Sequence, residues 1–301
     1  MLNSFAITER GQSHIERDAP CQDFSFSQIE DFNGRRMVIA AIADGVGSCE
    51  YSHFGSETAV MTIVEFISDR LHVAEDLEEC KFEDVIKDGF ELALSKIENK
   101  AEQMELPFLE FDCTLTAAIY DGDKLWYGHS GDGGIVVLKG DSSYDMITKR
   151  HKGVEFNMVF PVRDTASWEF GSVSNISSFV MMTDGVLDSC VDIPEHGNRI
   201  LWPFLEPALT EVIETKEQCD KVRDEWCSIF RIPPNEKGSL RRRIKDDITF
   251  LLVTNSEAVS KTEPPSFDLD KWRADTEEYK KKQDEMLYKR FYEYMASKEE
   301  K

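Results

Sequence analysis

The sequence predicts an α+β layered sandwich built on antiparallel sheets. Two observations carry that expectation. Strand-like runs come first, then a helical pair, more strands, more helices and a final strand, which is not the strict alternation of a parallel βαβ fold. Most neighbouring strand runs are also separated by Gly, Asp or Asn turns, the connections that join antiparallel strands.

Taken in order, β-type runs fall at 4–8, 24–29, 37–43, 114–120, 124–128, 134–138, 179–183 and 248–254. Asp121-Gly122 reads as a hairpin turn between two of them. Helices are predicted at 55–71, where Val60, Ile63, Val64 and Ile67 recur at helical spacing, and at 82–104, where Val85, Ile86, Phe90, Leu94 and Ile97 do the same. Two more are predicted at 199–213 and 216–230. No internal repeat is apparent. SEAVSKTEPPSF, from Ser256, reads as a linker, and 268–298 as a charged C-terminal helix or pair of helices bearing Trp272, Tyr279, Met286, Tyr288, Phe291, Tyr292 and Tyr294. The expected organisation is a domain over 1–255 and an extension over 256–301. That helix either packs on the domain's flank or docks a partner or a second copy of the chain.

With 301 residues, 41% hydrophobic and 31% charged, the chain can bury a substantial core. Its net charge of −23 argues against a nucleic-acid partner, since a phosphate backbone would be repelled. Seven cysteines form no CxxC pair and suit a reducing compartment. The N-terminus lacks a signal-peptide pattern and no apolar run approaches the ~20 residues that span a bilayer, so no membrane association and a cytoplasmic location are expected.

Four aspartate positions share one design, a β-forming run that meets Asp beside a small or polar residue: AAIADGVGS (Asp44), GHSGDGG (Asp132), VMMTDGV (Asp184) and KDDITFLLV (Asp246, Asp247), the last with its acids before the strand. A short carboxylate on a rigid strand end loses little entropy on binding a cation. Carboxylates gathered at one end of a sheet repel, and a metal pair relieves the repulsion. Oxygen donors suit Mg2+ or Mn2+, and no His or Cys cluster has zinc spacing. Glycines after Asp44 and Asp184 are expected to allow sharp turns, leaving the Gly45 carbonyl exposed as a further ligand. For a lone Asp-Gly, a hairpin turn is the plainer reading.

The ordered set CQDF (21–24), ADGVGS (43–48), DCTLTAAI (112–119), GDGG (131–134), MTDGV (182–186) and DDITFLLV (246–253) resembles the metal-dependent type 2C protein phosphatases, and SHIERDAPCQD with GVEFN (153–157) looks most like their divergent bacterial branch. The resemblance implies an αββα four-layer sandwich, two antiparallel sheets flanked by helices, with the metals at one end and the insert 151–172 as a flap beside them. It implies hydrolysis of phosphoserine and phosphothreonine by a metal-activated water at a binuclear Mn2+ or Mg2+ centre. By the same resemblance Asp44 bridges two ions with help from Gly45, Asp184 and Asp246 complete one ion's shell, and Asp23 holds water on the other. Asp132 with Asp184 matches a weaker third site, while Gln22 and Asp247 stand behind the ligands. A phosphorylated protein substrate and a cognate Ser/Thr kinase are the implied partners.

Three positions depart from the family's pattern. Gln22 stands where many members have Glu. Asp18 occupies the place of a phosphate-binding arginine, so that Arg17 is either its substitute or a surface residue. Val46 replaces a histidine that some members use to protonate the leaving group, which leaves His53, His14 or water. Cys21, Cys49 and Cys113 flank the centre and read as packing residues. The alternatives to an active protein phosphatase are a catalytically weak phosphoprotein-binding module and a hydrolase of small phosphate esters.

Overall fold

Strand 35–43 shows why the chain builds layers. Its side chains alternate between two faces. Met37, Ile39, Ala41 and Ala43 enter one core, and Val38, Ala40 and Ile42 enter another. A strand apolar on both faces must be covered on both. A computed structural model describes residues 1–77, 79–150, 159–192, 199–232, 236–237 and 244–299, and in it each of the eight predicted runs forms a strand.

One sheet runs β2 (Phe24–Phe32), β3 (Arg35–Ala43), β4 (Leu115–Tyr120), β5 (Leu125–Ser130) and β8 (Glu169–Val173). The other runs β1 (Leu2–Glu9), β12 (Ile248–Asn255), β9 (Ile176–Met182), β6 (Gly134–Lys139) and β7 (Tyr144–Met146). Every pairing within them is antiparallel. The sheets face each other across a core in which Val38, Ala40, Ile42 and Ala118 meet Ile135, Val137, Phe179, Met181, Leu251 and Val253.

Helices α2 (Ser52–Val73) and α3 (Phe82–Gln103) cover the outer face of the first sheet, with Val60, Ile63, Val64, Ile67 and Leu71 buried along α2. On the second sheet's outer face lie α4 (Asp184–Cys190), α5 (Trp202–Leu209) and α6 (Lys216–Arg231). The start of α6 is fixed by a capping box between Thr215 and Gln218. Its Trp226 stacks on Phe250 of β12 at 4.7 Å between ring centroids. Each fully buried aromatic or aliphatic side chain of this kind contributes about 1.5–3 kcal/mol. The result is the four-layer αββα sandwich.

Several local expectations are corrected. SEAVSK is a helix, α7 (Ser256–Lys261), capped by Asn255 and seated with Val259 buried, because Ser256 bonds the Ile213 carbonyl and Asn3. The helix expected from residue 199 begins at Trp202, with Pro at its start, while Arg199–Ile200 form β11, paired with β10 (Val191–Asp192). Short elements escaped the pattern: α1 (Gln12–Glu16), α4, β7 and β8. The GVEFN run and the first part of the 151–172 insert lie outside the described residues, and the last part of that insert is the edge strand β8. The Asp121-Gly122 hairpin is present, with Asp121 Oδ1 accepting from the Asp123 and Lys124 amides and Gly122 at φ 101°.

At the C-terminus α8 (Leu269–Glu299) is one continuous helix. Arg199 anchors its first turns, donating to the Trp272 carbonyl and to Thr276 Oγ1, both at 2.6 Å, with its guanidinium over the Trp272 ring. Farther along, Leu287, Tyr288, Phe291 and Tyr292 are exposed. Among the described residues no helix is long and apolar enough to cross a membrane.

Candidate metal centre

Antiparallel pairing decides where the aspartates go. In the second sheet the start of β12, the end of β9 and the start of β6 lie at one rim, because Phe250 pairs with Met182 and Met182 with Gly134. That rim therefore carries Asp246 and Asp247 before β12, Asp184 after β9 and Asp132 before β6. In the first sheet Phe24 pairs with Ala43, so Asp23 before β2 and Asp44 after β3 are neighbours.

The two rims meet. Single carboxylate oxygens of Asp44, Asp132 and Asp184 all lie within 4.8 Å of one another. Asp23 is buried beside Asp44, close enough for the two carboxyls to influence each other's charge. Asp246 stands one step out, lining with Asp184, Gly185 and Asp188 an open cleft of about 360 Å3. The structure thus gathers Asp23, Asp44, Asp132, Asp184 and Asp246 from five distant stretches of the chain at one end of the sandwich.

The Asp44 carboxyl is pushed well above the usual carboxylate range, first by burial and then by repulsion from Asp23, Asp184, Asp246 and Asp132. Asp23 is raised too, by burial and then by Asp247. Carboxyls that resist ionising in each other's company, with oxygen donors throughout, fit hard divalent cations such as Mg2+ or Mn2+.

Asp247 is 2% exposed and turns away from the cleft. Its Oδ1 accepts from the Gly11 amide at 2.6 Å and lies 2.8 Å from His14 Nδ1, and its Oδ2 accepts from the Gln22 amide at 2.5 Å. One buried carboxylate so fixes the segment that delivers Asp23. Gln22 adds a second tie, its side-chain amide donating to the Cys49 carbonyl at 3.1 Å.

Three hydroxyl or imidazole groups were not singled out in the sequence. Thr183 Oγ1 donates to Asp23 Oδ2 at 2.8 Å, and Thr114 Oγ1 accepts from the Asp44 amide at 2.9 Å. His129, fully buried, sits between Thr116 Oγ1 at 2.8 Å and the Gly131 carbonyl at 3.1 Å, which steadies the turn bearing Asp132. Their signal was adjacency, since each stands inside or beside a motif whose aspartate drew the attention. Arg163 is a fourth, its Nε donating to both oxygens of Asp112 at 2.7 and 2.8 Å, beside the 44–46 segment.

The reason for glycine at two motif positions differs from the expected one. Neither Gly45 nor Gly185 has a positive φ. A Cβ on Gly45 would lie 2.6 Å from Ser52 Oγ, and one on Gly185 would lie 2.0 Å from the Asp247 carbonyl oxygen. Close packing, not a left-handed turn, excludes a side chain there.

Arg17 is exposed at the end of α1, its Nε donating to the Ser13 carbonyl at 3.0 Å. Ser13 is bonded in turn to the Lys245 carbonyl, so Arg17 stands at the same end of the sandwich as the carboxylates. Burial lowers the pKa of His53, leaving it neutral near pH 7. Burial pushes the Cys21, Cys49 and Cys113 thiols up, which keeps them protonated and poor nucleophiles.

A sequence profile for protein phosphatase 2C matches residues 10–226. The chain belongs to the protein phosphatase 2C family. Among curated proteins it is similar to serine/threonine-protein phosphatase 3 of Escherichia coli (strain K12), with 26% identity over 254 residues, 82% of this chain and 96% of that one. Among solved structures the phosphatase is similar to serine/threonine phosphatase Stp1 from Staphylococcus aureus, with a TM-score of 0.56 at 15% identity over 85% of this chain and 95% of that one. It is similar also to the catalytic domain of serine/threonine protein phosphatase PstP in complex with two manganese ions, with a TM-score of 0.51 at 17% identity over 84% and 97%. These two likenesses bear on the fold, and they agree with the αββα layering.

Proposed function

We propose that the phosphatase hydrolyses phosphoserine and phosphothreonine in proteins at a binuclear Mn2+ or Mg2+ centre, and that a cognate Ser/Thr kinase supplies its substrates. The observation that carries this reading is the meeting of Asp44, Asp132 and Asp184, from three strand ends in two sheets, within 4.8 Å in a chain of this family.

In this reading Asp44, Asp184 and Asp246 hold the ions, with the Gly45 carbonyl and Asp23 on the other side and Asp132 with Asp184 at a third position. When bound, divalent ions held by these residues would supply an activated water and offset charge on a phosphoryl group. The chain's own residues do the rest by position. Asp247, Thr183 and Thr114 hold Asp23 and Asp44 in fixed orientations, so no reorganisation is needed when a substrate arrives. Arg17, exposed at the same end, is the proposed contact for the substrate phosphate. His53 is neutral near pH 7 and so is a poor proton donor to the departing serine or threonine oxygen. A cytoplasmic location accords with this activity.

The test is release of phosphate from a phosphothreonine peptide with MnCl2 present. The wild-type chain should turn over and Asp184→Ala should fall by about a hundred- to a thousandfold, the scale of losing a group that stabilises the transition state directly. Equal rates for the two proteins, or no turnover by the wild type, would refute the assignment.

A further inference from the structure

Two of the clustered carboxylates sit at the rim of the second sheet, Asp132 on the turn at 131–133 and Asp184 at the start of α4. Arg150 spans them. Its side chain is 9% exposed. Its Nε donates to the Asp132 carbonyl at 2.7 Å, and its Nη1 donates to Asp188 Oδ1, one helical turn beyond Asp184 on α4. A guanidinium is planar and presents its donors in a fixed fork, so one rigid group sets the spacing between turn and helix. His129 ties the same turn toward β4 through Thr116, whereas Arg150 ties it to the helix that carries Asp184.

We propose that Arg150 is a positioning residue of the cation site, holding Asp132 and Asp184 at the separation a divalent ion requires while its permanent charge offsets part of the carboxylates' mutual repulsion. The proposal rests on the phosphatase reading above, and neither Arg150 nor Asp188 figures in the sequence motifs. Groups that orient ligands from behind change metal affinity by about ten- to a hundredfold when removed. A lysine keeps the charge but has no fork, so it restores only part of the effect.

The test is Mn2+ titration calorimetry on the full chain, together with the Mn2+-induced rise in Tm, for wild type, Arg150→Ala and Arg150→Lys, with Asp184→Asn as control. Arg150→Ala is expected to weaken Mn2+ binding about tenfold or more. It should also shrink the Mn2+-induced rise in Tm, an effect that a merely structural role, lowering Tm equally with and without metal, does not produce. Arg150→Lys should lie between Arg150→Ala and wild type. A folded Arg150→Ala with wild-type Mn2+ affinity overturns the proposal. If Arg150→Ala does not fold, Arg150→Lys decides on the same measure: weakened Mn2+ binding supports the proposal and unchanged binding overturns it. Wild type that takes up no Mn2+, or Asp184→Asn that binds as wild type does, overturns the metal reading and the proposal with it. Binding lost in Asp184→Asn but kept in Arg150→Ala overturns the proposal alone.

Discussion

Replacing Asp44 by Asn should stabilise the metal-free protein and destabilise it relative to wild type once Mn2+ is present. Asp44 lies within 4.8 Å of both Asp132 and Asp184. At an effective dielectric of about 20, two full charges at that separation repel by roughly 3.5 kcal/mol. Partial protonation relieves some of this, since the Asp44 carboxyl is held above its ordinary range by burial and its acidic neighbours. The sign follows from linkage. A carboxyl whose folded-state pKa is raised gives a stabilising contribution that is complete below its unfolded value, near 3.8, and is lost as pH rises through the folded value. Metal-free wild type should therefore lose stability as pH climbs from the acid range, and Asp44→Asn should lose less.

The isosteric amide keeps the volume and removes one charge, so the gain in the metal-free protein near neutral pH is expected at about 1–3 kcal/mol, or a Tm higher by roughly 2–8 °C. Excess Mn2+ reverses the order, because a ligand at a thousandfold its Kd adds about 4.1 kcal/mol to a protein that binds it and nothing to one that does not. Differential scanning calorimetry in EDTA and in MnCl2, across mildly acidic to mildly alkaline pH, reads all of this. An Asp44→Asn protein that melts below wild type in EDTA, yet shows the full Mn2+ shift, would refute the electrostatic reasoning.

Two further predictions follow from the groups behind the site. Asp247→Ala leaves the Gly11 and Gln22 amides without their buried acceptor and His14 without the carboxylate beside it, and should cost about 3 kcal/mol or more in urea denaturation; a change under about 1 kcal/mol would show that water or repacking satisfies those donors. Cys113 and Cys190 are buried with thiols pushed far up, so native protein treated with a thiol reagent at mildly alkaline pH should leave both unmodified by mass spectrometry; rapid labelling of either would contradict their burial.

The strands were legible because their apolar residues recur with the period of a pleat, and α2, α3 and α6 because theirs recur with that of a helix. What escaped was too short or too dependent on context to show a period. The seven residues of α4 span scarcely two turns, and β8 is only half-buried at a sheet edge. The stretch after Asn255 is polar and Pro-rich overall, yet its first turn and a half dock as α7 because Val259 finds a buried seat.

For the site, sequence by itself determined which carboxylates matter, since an acid at the end of a β-forming run is a local pattern that repeats in four stretches far apart in the chain. Only the tertiary structure decided which of them touch. Asp44, Asp132 and Asp184 form the tight cluster, Asp246 stands a step out, and Asp247, adjacent in sequence, faces inward and acts as an anchor. Strand pairing and side-chain alternation send neighbouring residues to opposite faces, so adjacency in the chain does not predict adjacency in space. The same holds for Thr183, Arg163 and Arg150, whose partners lie between 18 and 160 residues away. No spacing rule reaches that far, and folding alone makes those contacts.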